Sequence, residues 1–425
     1  MTKVRLILLS LLALLFASCE RDGVDTTLTL GPFGKETRKV MLFYEAGFNN
    51  LSGDLARNVA ALKRGYLPEK SPNDDVLLVF THNTRSYGDY KSNTAPVLVR
   101  LYADHGEARA DTLKAWPEGA SIANAAMVTD VFNWVKNAFP AAGYGAVMAS
   151  HASGWLPEGY YDNPEKHEGY NRGGGGWSWA PRQKTFGHEF FSNGTMTEEI
   201  EIKDLAKAIP YKLDYLVFDA CLMGSVEVAW ELRNVCSYLV VSPCETPAAG
   251  FDYKSMAERL LKPETPDPTG VAQDYFAAYE NDSIYGATIT VVDCGALDPL
   301  ASVCSTLFDR YRSGIRNLVG KNVQVYDRSH GSKYYYAFFD LKDMLREAGA
   351  SAEDLASLQQ ALDKAIVFEA HTKQFLSVNL DRCCGLSVYL PAYPDYQKDL
   401  WHGTEFLDTF YKQHLSWNAA THLVE

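Results

Sequence analysis

Short apolar runs alternate with amphipathic stretches along most of the chain. Residues 40–44 form a continuous apolar run of buried-strand length, residues 75–81 form a second, and residues 97–102 alternate as an edge hairpin would. Met127, Val128, Val131, Phe132, Val135 and Phe139 recur at helical spacing and are closed by Pro140. Residues 145–150, 213–218 and 238–242 are further strand candidates, and a helix is predicted over 225–232. Beyond them, 287–292 predicts a strand, 297–319 a long amphipathic helix, and 386–390 another strand. Ser351-Ala352-Glu353-Asp354 has the form of a capping box ahead of Leu355, Leu358, Leu362 and Ile366. Strands alternating with helices predict an α/β fold with a mainly parallel sheet flanked by helices. One long stretch, 156–199, is polar and Gly-rich around Arg172-Gly173-Gly174-Gly175-Gly176, and reads as a loop.

The first residues follow a different pattern. Lys3 and Arg5 precede an apolar segment at 6–16 that is too short to span a bilayer, and Phe16-Ala17-Ser18-Cys19 has small residues just before a cysteine. This predicts a signal peptide over 1–18, lipidation of Cys19, and a polar tether over 19–38. The expected location is the cell envelope after export, attached to the membrane through the lipid at Cys19, with Glu20 and Asp22 resembling a surface-export signal. An ordinary signal peptide cleaved nearby is the alternative. No later run is long and apolar enough to be a membrane-spanning helix.

The net charge of −13 over 425 residues offers no basic footprint, which argues against a nucleic-acid partner. With Cys19 set aside, cysteines remain at 221, 236, 244, 294, 304, 383 and 384, an odd number that cannot pair completely. Their spacing contains no metal-binding pattern, so no metal and no cofactor is expected.

Two residues stand out by position. The strand at 145–150 delivers His151 at its carboxyl end, and the strand at 213–218 delivers Asp219-Ala220-Cys221. Function in open parallel sheets gathers at the carboxyl ends of strands. A thiolate attacks a peptide carbonyl, and an imidazole titrating near neutrality can take the thiol proton and return it to the leaving amine. The developing oxyanion needs N–H donors, and backbone amides at such strand ends beside glycine can supply them.

The local sequences resemble a known family. Ser150-His151-Ala152-Ser153-Gly154-Trp155 and Asp219-Ala220-Cys221-Leu222-Met223 are similar to the two signature motifs of the clostripain family of cysteine peptidases, part of the caspase-like clan. LFYEAGFNNL at 42–51, SPCETP at 242–247, GFDY at 250–253 and GLSVYLP at 385–391 resemble further family elements, in order, over roughly 39–411. The resemblance implies a caspase-like catalytic domain, here 39–262, with the remaining 263–425 as a C-terminal α/β lobe. It implies that His151 is the catalytic histidine and Cys221 the nucleophile. It also implies cleavage of peptide or protein substrates after Arg or Lys, with Asp219 lining the pocket for the basic side chain. Some members cut themselves between the two motifs, which makes Lys166, Arg172 and Lys184 candidate processing sites. Calcium is needed by some members and not others, and none is carried over.

Two readings stay open beside these. Asp219 could cap the helix after Cys221, and Glu245 could face the cleft or serve structure. The family usually has glycine directly after its histidine, where the backbone N–H helps form the oxyanion hole, so the resemblance implies the N–H groups of Ala152 and Cys221 as the oxyanion donors here. Ala152 keeps the N–H but does not readily take a positive φ. A catalytically impaired relative, acting as a peptide- or partner-binding surface lipoprotein, is therefore the competing class.

Overall fold

A computed structural model describes residues 37–71, 73–86, 88–89, 92–157, 186–190, 196–282, 284–318, 322–328, 337–391 and 403–425. All fall within one compact unit, Lys35–Glu425. The strands, in chain order, are β1 (Thr37–Gly47), β2 (Val76–Asn83), β3 (Val97–Asp104), β4 (Glu107–Ala115), β5 (Ala141–Ala149), β6 (Phe186–Phe190), β7 (Met196–Ile200), β8 (Leu213–Asp219), β9 (Cys236–Val241), β10 (Thr288–Asp293), β11 (Phe339–Asp340), β12 (Ile366–His371), β13 (Gln374–Phe375), β14 (Val378–Asn379) and β15 (Ser387–Val388). The helices are α1 (Ser52–Leu62), α2 (Ala125–Ala138), α3 (Ile202–Ala208), α4 (Val226–Leu232), α5 (Tyr253–Leu261), α6 (Pro268–Tyr279), α7 (Leu297–Arg316), α8 (Leu341–Glu347), α9 (Ala352–Ala365), α10 (Gly403–His414) and α11 (Ser416–Thr421).

Nine strands form one sheet in the order β12-β10-β9-β8-β5-β1-β2-β3-β4. The central five, β9, β8, β5, β1 and β2, are parallel, and antiparallel strands close both edges. This is the expected mainly parallel α/β architecture. The central strands are apolar on both faces because both are covered. On one face Met41, Phe43, Val79, Val147 and Val217 pack under α1, α5 and α6. Their alternates Leu42, Tyr44, Phe80, Met148 and Phe218 are equally buried, as the two-residue period requires. Helices α2, α3, α4, α11, α7 and α9 touch in succession. Strands β10 and β12, from the C-terminal half, extend the same sheet rather than building another.

Helix starts follow their caps. The side chain of Asn124 accepts from Met127 N–H at 2.9 Å, that of Ser225 from Val228 N–H at 3.2 Å, and that of Ser351 from Asp354 N–H at 3.1 Å.

Two expectations are corrected. The stretch 156–199 is not all loop, since β6 and β7 pair as an antiparallel hairpin inside it. Its strands are short and carry Gly187, Glu189 and two further glutamates, so no apolar alternation announces them. The strand predicted at 386–390 shrinks to β15, two residues paired with β11. Leu386, Val388, Tyr389 and Leu390 are all buried, but an apolar run reports burial and does not specify ladder pairing.

Candidate active site

The parallel ladder between β5 and β8 matches Ala149 to Asp219. His151 and Cys221 each follow by two residues, so both leave the same edge of the sheet from adjacent strands. The two turns that carry them also touch: a Cβ on Gly154, whose φ is +62°, would lie 2.5 Å from the carbonyl oxygen of Leu222.

The turn after β1 is stitched to this edge. Ser150 Oγ donates to the Ala46 carbonyl at 2.7 Å, and Asn49 Nδ2 donates to the same carbonyl at 3.0 Å. Asn49 Oδ1 then accepts from Leu51 N–H at 2.8 Å, holding the turn that presents Asn50. The His151 Nε2 lies 2.6 Å from Asn50 Oδ1. With the proton on Nε2 donated to Asn50, Nδ1 is left as the nitrogen with a lone pair. Asn50 belongs to the motif at 42–51, but its role toward His151 has no signature in local sequence.

Cys221 is half-buried and not in a disulfide. The segment after β9 runs beside it: Leu222 N–H donates to Cys244 O at 2.9 Å, Gly224 N–H to Ser242 O at 2.8 Å, and Thr246 Oγ1 to Ala220 O at 3.1 Å. Thr246 N–H points at the Cys221 sulfur, 3.4 Å away. Burial, and then the negative charges of Glu245 and Asp219, push the Cys221 thiol up to about 12, against the Thr246 amide and the Arg328 charge. The thiol is therefore protonated at neutral pH in this arrangement, and its sulfur needs a base to become a nucleophile. Glu245 is not free to act as that base. Arg328 grips it through two bonds, Nε to Oε1 at 2.9 Å and Nη2 to Oε2 at 2.6 Å.

Asp219 does not cap α4, whose N-cap is Ser225. Its carboxylate is buried and accepts from Tyr253 OH at 2.5 Å. Burial and the charge of Asp54 raise it to about 7, although the Tyr253 bond works the other way. Gly250, at φ +68°, packs directly on this carboxylate, where a Cβ would sit 2.3 Å from Asp219 Oδ2.

Ala152 is fully buried and is not among the described non-glycine residues with positive φ, so the backbone strain raised for it does not arise. Among the described residues of the site, the non-glycine left-handed position is instead Leu222, at φ +60°, immediately after Cys221. Among the described residues, neither Ala152 nor Cys221 donates its N–H to another backbone group. Also among the described residues, no cluster of His, Cys, Asp and Glu could hold a metal ion. Cys19, Lys166, Arg172 and Lys184 lie outside the described residues.

Comparison with known proteins gives the family and the fold. The sequence profile of the clostripain family matches residues 101–422. Clostripain of Hathewaya histolytica is 25% identical over 283 residues, which is 62% of this chain and 49% of that protein. The chain thus spans about half the length of the curated relative it matches. Among solved structures, a C11 protease from Parabacteroides distasonis described as an inactive zymogen superposes with a TM-score of 0.71 at 25% identity, covering 91% of this chain and 99% of that one. A secreted C11 cysteine protease from Bacteroides thetaiotaomicron, iotapain, gives 0.69 at 23% identity over 91% and 100% of the two chains and shares the fold.

Proposed function

The chain belongs to the clostripain family of cysteine peptidases, and from that premise we propose that it hydrolyses peptide bonds after Arg or Lys, with Cys221 as nucleophile and His151 as its acid–base partner. The observation that carries this reading is the Ala149–Asp219 rung, from which both residues emerge in step. With Nε2 donating to Asn50, His151 Nδ1 carries the lone pair and takes the thiol proton as the sulfur bonds to the scissile carbonyl carbon. The oxyanion is received by the N–H groups of Ala152 and Cys221. His151 then protonates the departing amine, and water, deprotonated by the same imidazole, releases the acyl group from sulfur. Asp219 faces the basic side chain of the substrate, where a cation would favour its ionised form.

The Parabacteroides relative is described as an inactive zymogen, and a thiol held neutral beside Glu245 suits such a resting state here. Cleavage at Lys166, Arg172 or Lys184 would activate the chain. Lipidation at Cys19 would hold it at the cell envelope.

The test is turnover of fluorogenic Arg and Lys peptides by the soluble domain and by Cys221→Ala and His151→Ala. Loss of activity in both variants is expected. Activity that survives Cys221→Ala would remove the mechanism. Binding without turnover in the processed wild type would favour the peptide-binding class instead. Intact mass before and after incubation locates any internal cut, and metabolic labelling with palmitate, lost in Cys19→Ala, tests the anchor.

A further inference from the structure

Strand β6 makes three successive contacts along the carboxyl edge of the sheet. Phe186 packs edge-on against Phe218 of β8, ring centroids 5.6 Å apart. Gly187 N–H donates to the carbonyl of His151 at 3.1 Å. Glu189 Oε1 accepts from His82 Nδ1 at the end of β2, at 2.7 Å. The strand therefore straps together β8, the His151 turn and β2.

The Glu189 end of the strap is built as an anchor. Its carboxylate and the His82 ring are almost wholly buried, with side-chain exposures of 1% and 4%. Its second oxygen accepts from Ile122 N–H at 2.8 Å, and Ile122 is held from the other side by Tyr44 OH, which donates to its carbonyl at 2.5 Å. His82 stacks on Phe48 with centroids 4.7 Å apart and planes within 10°. A buried carboxylate is costly unless its hydrogen bonds are made, so this geometry is specified and not incidental. Gly187 lets the strap approach closely. Its φ is +80°, and a Cβ there would stand 2.8 Å from that of Ala123.

We propose that Glu189 is a positioning residue for His151: anchored on His82 and Ile122, it fixes β6 so that Gly187 N–H holds the His151 carbonyl and sets where the imidazole stands relative to Cys221. Asn50 orients the ring, whereas the strap orients the backbone that bears it. This proposal rests on the reading of His151 as the acid–base partner.

The experiment compares wild type with Glu189→Gln and Gly187→Ala. Glutamine keeps the size and can still accept from His82, but it turns an NH2 toward the Ile122 N–H. Hydrogen exchange of the Gly187 amide should accelerate in Glu189→Gln while protection in the central strands is kept. With Arg peptides, kcat should fall roughly tenfold or more in Gly187→Ala and less in Glu189→Gln, with KM within about twofold, as misplacement of a catalytic group predicts. Unchanged Gly187 exchange, or faster exchange with kcat untouched in both variants, would overturn the proposal. A rise in KM equal to the loss in kcat/KM would do the same, because it would mean a binding defect. A wild type inert to every peptide would count against the peptidase reading itself, and the exchange comparison distinguishes that result because it needs no turnover.

Discussion

Asn50 and His151 meet 101 residues apart in sequence through a 2.6 Å contact between Oδ1 and Nε2. The bond decides which imidazole nitrogen carries the proton. Its loss lets the ring rotate and lets the proton choose either nitrogen. Asn50→Ala is expected to lower kcat about tenfold to a hundredfold while leaving KM nearly unchanged, a cost within the usual range of acid–base catalysis. Asn50→Asp should retain more activity than Asn50→Ala. Steady-state kinetics on one Arg peptide checks both.

Burial and Glu245 keep the Cys221 thiol protonated, at about 12. Alkylation of Cys221 by iodoacetamide in the unprocessed chain should therefore keep rising with pH through 9 and 10, in the sense expected for a raised thiol. Glu245→Gln removes a negative charge and leaves Arg328 positive, and both changes favour thiolate. Alkylation at pH 8 should be faster in that variant. Mass spectrometry of the peptide containing Cys221 gives the rates.

Asp219 is raised to about 7 in the fold against an ordinary value of 3.8. Between those values the folded chain binds a proton that the unfolded chain has released. The stability this protonation contributes is full below pH 4 and is lost as pH rises through 7. Asp219→Asn should therefore be more stable than wild type at pH 8, by on the order of 2–4 kcal/mol, and gain little at pH 4. In the same variant, cleavage after Arg should fall at least about tenfold, while binding of a neutral P1 peptide changes little. Urea unfolding at the two pH values measures the first effect and peptide kinetics the second.

Gly250→Ala tests the close approach of the backbone to Asp219. The substitution places a side chain at φ +68° and drives its Cβ to 2.3 Å from Asp219 Oδ2. A loss of about 1–3 kcal/mol in stability is expected, together with a larger loss of kcat/KM for basic than for neutral P1 peptides. Equal losses for both classes would separate Gly250 from recognition of the cation.

Much of this arrangement was legible in the chain. The apolar runs located the five central strands, and their ends pointed to His151 and Cys221, because buried parallel strands are continuous in sequence. Asn50, Glu189 and His82 were not legible as partners, because each acts across the fold through a contact that no local period encodes. The backbone at Ala152 was not legible for a related reason: sequence names the residue but not its φ, and a non-glycine left-handed position fell one residue after the cysteine, at Leu222. Leu386 and its neighbours misled because a buried segment and a paired strand have the same composition.

The order of the sheet has a consequence for a chain cut between β5 and β6. Strands β1 to β5 all lie on one side of the β5–β8 junction, and β8, β9, β10 and β12 all lie on the other. A nick would thus convert the protein into a heterodimer whose dividing line is that junction, with the imidazole on one subunit and the sulfur on the other. Neither fragment would hold a complete centre. The β6 strap, made by the later fragment and anchored on the earlier one at His82, would act as a clasp between them. Such a protein should elute as a single species under native conditions, separate only in denaturant, and regain turnover when the two pieces are mixed.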